Sequence, residues 1–222
     1  MSKLVWDADG ERFYESGTDR GVLFPMANGV YSKGVAWNGL TGVTESPSGA
    51  EESVLYADNR KYGTMRSAEE FGATVEAYTY PDEWAACDGS AELAPGVYAG
   101  QQNRSAFGMA YRSKIGNDAT QDLGYKLHLM YGATASPSEK AYATVNDSPE
   151  AITFSWEVTT NPVNINDEHK PTALLTIDSR TADATKLAAL EAIIYGTNAA
   201  GEVQATEPRL PLPAEVMTLM TA

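Results

Sequence analysis

A two-residue rhythm of apolar and polar side chains, cut into short lengths by Asp-Gly and Asn-Gly pairs, is the feature that most limits what this chain can fold into. In residues 71–80, Phe71, Ala73, Val75, Ala77 and Thr79 fall on one side, and Thr74, Glu76, Tyr78 and Tyr80 on the other. Successive side chains of an extended strand point to opposite faces, so this period puts one face in a core. The rhythm returns at Phe107, Met109 and Tyr111; at Tyr125, Leu127, Leu129 and Tyr131; at Ile152, Phe154, Trp156 and Val158; and at Ala173, Leu175 and Ile177. The intervening positions are polar or mixed: Lys126, His128 and Met130 in one segment, Thr153, Ser155, Glu157 and Thr159 in another. An antiparallel sheet with one core face and one wetter face is expected.

The turns support the same class. Asp9-Gly10 lies between Leu4-Val5-Trp6 and Phe13-Tyr14, and Asn28-Gly29 and Asn38-Gly39 sit among Val30, Tyr31, Val35 and Trp37. Such pairs accept the left-handed backbone of tight hairpins, so short antiparallel strands are predicted from the start. Residues 40–70 then lapse into Thr, Ser, Pro, Gly and charges, broken by Val54, Leu55 and Tyr56. A loop of about thirty residues far exceeds the usual 4–6 and is commonly functional or disordered. Its Tyr56, Tyr62, Arg60, Lys61 and Arg66 suit contact with another surface.

Only residues 182–195 carry a helical period, with Leu187, Leu190, Ile193 and Ile194 on one stripe, Thr181 as the expected N-cap, Asp183 in the first turn and Gly196 at the stop. Residues 199–222 read as a C-terminal arm: an extended Glu207-Pro208-Arg209-Leu210-Pro211-Leu212-Pro213, then a short amphipathic piece with Val216, Met217, Leu219 and Met220. No linker divides residues 1–222. The expected architecture is one mainly β domain of sandwich or barrel type with one flanking helix, a long loop and a terminal arm.

Chemistry is sparse. Asp7-Ala8-Asp9-Gly10-Glu11 begins like a calcium loop but lacks the rest of the pattern, so it reads as a turn. His128 and His169 have no second ligand at metal spacing and are expected at the surface or facing a lumen. Cys87, the single cysteine, is expected packed rather than reactive. No nucleophile elbow or phosphate-binding glycine loop is present, and no cofactor, metal or enzymatic activity is expected. With 16 Lys and Arg against 30 Asp and Glu, the net charge is −14, which opposes binding to phosphate backbones. No apolar run approaches 18 residues and the opening residues are acidic, so neither a membrane span nor a leader is expected.

Several stretches together resemble the major tail protein, the tail tube subunit, of long-tailed bacteriophages of the siphophage type. They are Leu4-Val5-Trp6-Asp7-Ala8-Asp9-Gly10-Glu11-Arg12-Phe13-Tyr14, Gly34-Val35-Ala36-Trp37-Asn38-Gly39-Leu40, Glu69-Glu70-Phe71-Gly72-Ala73-Thr74-Val75-Glu76-Ala77-Tyr78-Thr79-Tyr80-Pro81, Pro137-Ser138-Glu139-Lys140, Asn146-Asp147-Ser148-Pro149-Glu150-Ala151-Ile152-Thr153-Phe154-Ser155-Trp156-Glu157, and the Pro-rich stretch at 207–213. The resemblance implies a tail-tube β fold whose hexameric rings stack head to tail around a tape-measure protein, with tail terminator and distal tail proteins as further partners. It implies a virion location after assembly in the host cytoplasm, and passage of double-stranded DNA without specific binding. Residues 40–70 would be the ring-stacking loop. Glu76 and Glu157 are the candidate lumen carboxylates, with ordinary outer-surface acids as the alternative. Another phage structural protein, of neck or capsid, and a carbohydrate- or cell-surface-binding sandwich are the other readings.

Overall fold

In the computed structural model, which describes residues 3–145, 147–148, 150–166, 168–199 and 204–221, the alternating segments form one large antiparallel sheet. In chain order the elements begin with β1 (Phe13–Ala27), β2 (Val30–Tyr31), β3 (Val35–Ala36), β4 (Leu40–Glu45), β5 (Ser48–Gly49), β6 (Glu52–Ala57), β7 (Arg60–Arg66), β8 (Glu69–Glu70) and β9 (Gly72–Ala77). There follow α1 (Trp84–Cys87), β10 (Ala91–Ala94), β11 (Val97–Ala99), β12 (Phe107–Asn117), β13 (Gly124–Ala135), β14 (Phe154–Thr160), β15 (Leu174–Asp178), α2 (Ala184–Tyr195) and α3 (Pro213–Thr221). The main path runs β2-β1-β12-β13-β14-β9-β4, with β3 added to β1 and β15 to β13.

Strand β13 is shared between two neighbours. Its first half, Lys126 to Met130, pairs with β15, and its last residues, Ala133 to Ala135, pair with β14. The fork lies at Gly132, whose φ is +57° and where a Cβ would stand 2.2 Å from the carbonyl oxygen of Asn161. Only glycine fits that approach in that conformation. The bulge there also switches parity: Met130 points to the same core as Ala133 and Ala135, while Leu127, Leu129 and Tyr131 point to the other.

Two cores result. Beyond the fork the sheet curls until β4 lies alongside β1, where a Cβ on Gly21 would be 3.0 Å from Leu40. The inner core gathers Leu23, Val75, Met109, Met130 and Val158 around a cluster of Trp37, Trp84 and Trp156. The outer core lies between β1, β12, β13 and β15 on one side and α2 with the C-terminal segment on the other: Phe24, Leu127, Leu129 and Tyr131 meet Leu187, Leu190, Ile194, Leu210 and Val216.

Several expectations change. The wetter face expected beside the apolar one is absent from β12 and β13, because both of their faces are covered: on β13 the mixed positions His128 and Met130 turn to the inner core while Leu127, Leu129 and Tyr131 meet the outer one, and on β12 the small Gly108 lies under the C-terminal segment, where a Cβ would stand 2.2 Å from Leu210. The described part of the C-terminal arm, residues 204–221, folds back onto its own domain instead of extending from it: the Tyr131 hydroxyl donates to Pro211 O at 2.9 Å, Gly34 N to Pro208 O at 2.8 Å, and α3 buries Val216. Residues 200–203 and 222 of that expected arm lie outside the described residues. The flank is therefore two helices, not one. Helix α2 starts at Ala184 with Asp183, not Thr181, as its N-cap; its carboxylate accepts from Thr185 N and Lys186 N, and those bonds hold its pKa below the ordinary value. Leu4, Val5 and Trp6 form no strand and are exposed. The Asp7–Gly10 turn docks instead on the β12–β13 connection, with Gly10 N donating to Asp118 and Asn117 Nδ2 donating to Gly10 O. Asn28-Gly29 makes the predicted hairpin turn, with φ of 52° and 79°, between β1 and β2.

Candidate assembly surfaces

The largest departure from the sequence reading concerns residues 40–70, which are not an irregular loop. Strand β4 belongs to the main sheet, β5 pairs with β8, and β6 pairs with β7 from Glu52↔Arg66 to Ala57↔Arg60. The result is a two-stranded ribbon rooted between the end of β4 and the start of β9. None of its side chains enters either core. Its tip turns at Asp58 and Asn59, with φ of 49° and 59°, a left-handed pair that Asp and Asn tolerate better than other non-glycine residues.

All five residues singled out in this stretch lie on the ribbon. Tyr56 and Tyr62 are 74% and 78% exposed, and Met65 and Leu55 add further uncovered apolar surface. Glu52 lies 3.5 Å from Lys61 and 3.6 Å from Arg66, an exposed charge group worth little by itself. Arg60, at the tip, makes no ion pair among the described residues. A ribbon of this kind carries two free edges and exposed aromatics, which monomeric proteins normally suppress.

Glu76 and Glu157 come together. Glu76 is opposite Ser155 and Glu157 opposite Thr74, so the two carboxylates are diagonal neighbours on adjacent antiparallel strands. Both are exposed on the face of β9 and β14 that points away from the Trp cluster, together with Thr74, Ser155 and Thr159. Neither makes an ion pair among the described residues. Among the described residues no helix packs on this face, whereas α2 and α3 cover the outer face of β1, β12 and β13.

His128 overturns its expectation: it is 8% exposed, at the inner side of β13, rather than at a surface. Its ring stacks on Tyr111 with centroids 4.7 Å apart, Nε2 is 3.0 Å from Ser113 Oγ, and Nδ1 is 3.3 Å from Thr176 Oγ1 and 3.4 Å from Glu45 Oε1. The Tyr111 hydroxyl donates to Glu45 at 2.8 Å, and Lys126 pairs with Glu15 close by. Burial is the main influence on His128 and lowers its pKa from 6.5; Glu45 and Glu15 work against it, and Lys126 adds to it. A histidine with a depressed folded pKa binds fewer protons folded than unfolded. Its contribution is thus complete above about pH 6.5 and is lost as pH falls through the folded value. Thermal melts at pH 7 and pH 5 should show the wild type losing stability and His128→Gln losing less; equal losses would refute this assignment.

A second polar cluster ties α2 to the sheet. Arg112 donates to both oxygens of Asp19 at 2.9 and 3.1 Å, lies 3.6 Å from Glu191 and sits over the Tyr125 ring at 4.3 Å. The bidentate Arg112 contact holds Asp19 below its ordinary pKa despite partial burial. Cys87 is fully buried beside the Trp cluster, and burial pushes its thiol up to about 12, so it has no thiolate character near neutrality. His169 is exposed and, among the described residues, bonds to its neighbour Asn166.

No protein-family model matches the chain, and no curated protein sequence matches it. Function therefore rests on the surfaces themselves. Among the described residues there is no group of three or more His, Cys, Asp or Glu placed to hold a metal ion, and no helix is long and apolar enough to cross a membrane. The sequence reading named the ribbon's residues but missed its regularity. The signal was a weak alternation around an Asp-Asn turn, in a stretch whose two faces are both exposed and so carry no core pattern.

Proposed function

We propose that the chain is the repeating subunit of a siphophage-type bacteriophage tail tube, polymerising as stacked hexameric rings that conduct double-stranded DNA. The observation that carries this reading is the β6–β7 ribbon, an ordered element with exposed Tyr56, Tyr62 and Met65 that contributes to neither core of its own domain. A monomer gains little from such an element; a polymer gains an inter-ring contact. The sequence resemblance places the ring-stacking segment in the same residues. Contact between unlike surfaces of identical subunits propagates without closing, as a tube requires.

The bare face holding Glu76 and Glu157 suits the bore. Acidic groups there repel passing phosphates, and screening limits the effect to charges within about 8 Å of the DNA at physiological salt. On this reading the tape-measure protein occupies the bore during assembly, and terminator and distal tail proteins meet the two ends. A sugar-binding sandwich is less well supported, because three of the four tryptophans, Trp37, Trp84 and Trp156, are buried, and the exposed Trp6 lies apart from them in the N-terminal segment rather than in an aromatic cluster on a strand face.

Electron microscopy and sedimentation of concentrated protein test the reading: rings or tubes are expected, and monomers persisting under all assembly conditions would overturn it. The bore assignment is tested separately by Glu76→Gln with Glu157→Gln. Tubes should form as before, while DNA release from particles assembled with the variant slows; unchanged release would place both acids elsewhere.

A further inference from the structure

The ribbon needs a receiving surface. The topology of β4 and β9 indicates which end of the domain should hold it. Leu40 pairs with Ala77 and Glu45 with Ala73, so these two strands run the length of the curled sheet with the ribbon root at the Glu45 and Gly72 end. At the other end, about 20 Å away for a six-residue strand, β9 leads into Tyr80, Asp82 and α1. A pocket of about 270 Å³ opens there, lined by Tyr80, Asp82, Asp88, Ser90, Tyr98 and Lys140, with Ala85 at its wall.

The charges of this pocket are unevenly matched. Asp88 is paired with both Arg104 and Lys140, and Lys140 also lies 5.4 Å from the centre of the Tyr80 ring. Asp82 is exposed and makes no ion pair among the described residues, and Glu92 adds negative charge beside Tyr98. The Tyr98 phenol feels this field: Glu92 first, then desolvation and Asp82, raise its pKa. The adjoining β10–β11 hairpin displays Leu93, Val97 and Tyr98 at 72%, 53% and 53% exposure. The site thus offers an unmatched carboxylate, two aromatic rings and an apolar shelf. The ribbon tip offers the complement: Arg60 without an ion pair, flanked by Tyr56 and Tyr62.

We propose that the ribbon of one copy docks on the next copy at this pocket, with Arg60 entering between Tyr80 and Tyr98 toward Asp82, and Tyr56 and Tyr62 covering the β10–β11 hairpin. The proposal rests on the tube reading and names the acceptor that reading leaves open. Guanidinium groups favour carboxylates and aromatic faces together, which is the chemistry this pocket presents. Donor and acceptor lie at opposite ends of β4 and β9, so the contact repeats along an axis. The more apolar groove lined by Pro47, Phe71, Pro162, Pro171 and Leu174 lies at the root end with the ribbon itself, and a head-to-tail stack cannot use it as the receiver.

The test uses charge exchange in the full chain. Both positions are exposed, so Arg60→Glu and Asp82→Arg should leave the far-ultraviolet spectrum and melting temperature unchanged. Each single variant should reduce the polymer formed at a fixed concentration by about tenfold or more, since like charges are brought together at every contact. The double variant should recover most of the loss. If the wild type polymerises while the single variants match it, or while the double variant is no better than either single one, the acceptor is elsewhere and the tube reading stands. If the wild type itself forms no rings or tubes, the tube reading and this inference fall together.

Discussion

Trp156→Ala is expected to cost about 3–5 kcal/mol of unfolding free energy, measured by urea denaturation. The indole is fully buried where the curled part of the sheet closes over the inner core. Ring centroids of Trp37, Trp84, Tyr80 and Phe154 stand 5.7, 5.3, 5.5 and 5.8 Å from it. Truncation opens a cavity whose walls are rigid aromatics on four different segments, so little collapse can offset it. Domains of this kind have about 5–15 kcal/mol in all, and the variant should approach the margin of folding. Trp156→Phe is expected to cost much less. Among the described residues the Nε1 hydrogens of Trp156 and Trp84 have no hydrogen-bond partner, so the phenyl ring keeps most contacts while removing an unsatisfied buried donor. A loss below about 1 kcal/mol for the alanine variant would show that the aromatic cluster does not hold the curl.

How much of this could be read from the sequence depended on whether a segment had a core to report. Residues 72–77 were legible because Ala73, Val75 and Ala77 are buried while Thr74 and Glu76 are not, and the period records that difference. In residues 107–111 the sequence shows one apolar face, Phe107, Met109 and Tyr111, while Gly108 and Ala110 look neutral, yet both lie against the outer core, where small size permits close packing. The tryptophans looked scattered along the chain and are adjacent in space, since strand order brings positions 37, 84 and 156 together and no local pattern encodes that order. Glu76 and Glu157 were each picked from their own strand; their proximity follows from the β9–β14 register. The Pro-rich stretch before α3 forms neither helix nor strand. Its docking depended on Tyr131 and on the gap at Gly108, both far away in sequence.

Replacing residues 52–66 by a short Gly-containing turn joining the β5–β8 pair should separate folding from assembly. The removed residues contribute no side chain to either core, and their ladder is internal to the ribbon, so the melting temperature should stay within a few degrees of the wild type. Surface burial and the main-sheet register are unaffected because β5 and β8 still pair at Ser48↔Glu70 and Gly49↔Glu69. Polymerisation, on the tube reading, should be abolished rather than weakened. Each subunit would lose one ribbon, a ring would lose every inter-ring contact of this type at once, and contacts made in parallel are lost multiplicatively in affinity. On the same tube reading, single rings should persist in sedimentation and electron microscopy, because the deletion leaves the main sheet and both cores intact. Tubes of normal length from the shortened chain would remove the ribbon from assembly altogether. Unfolding of the shortened chain would instead show that the ribbon supports its own domain, a role for which its exposed Tyr56, Tyr62 and Met65 are ill suited.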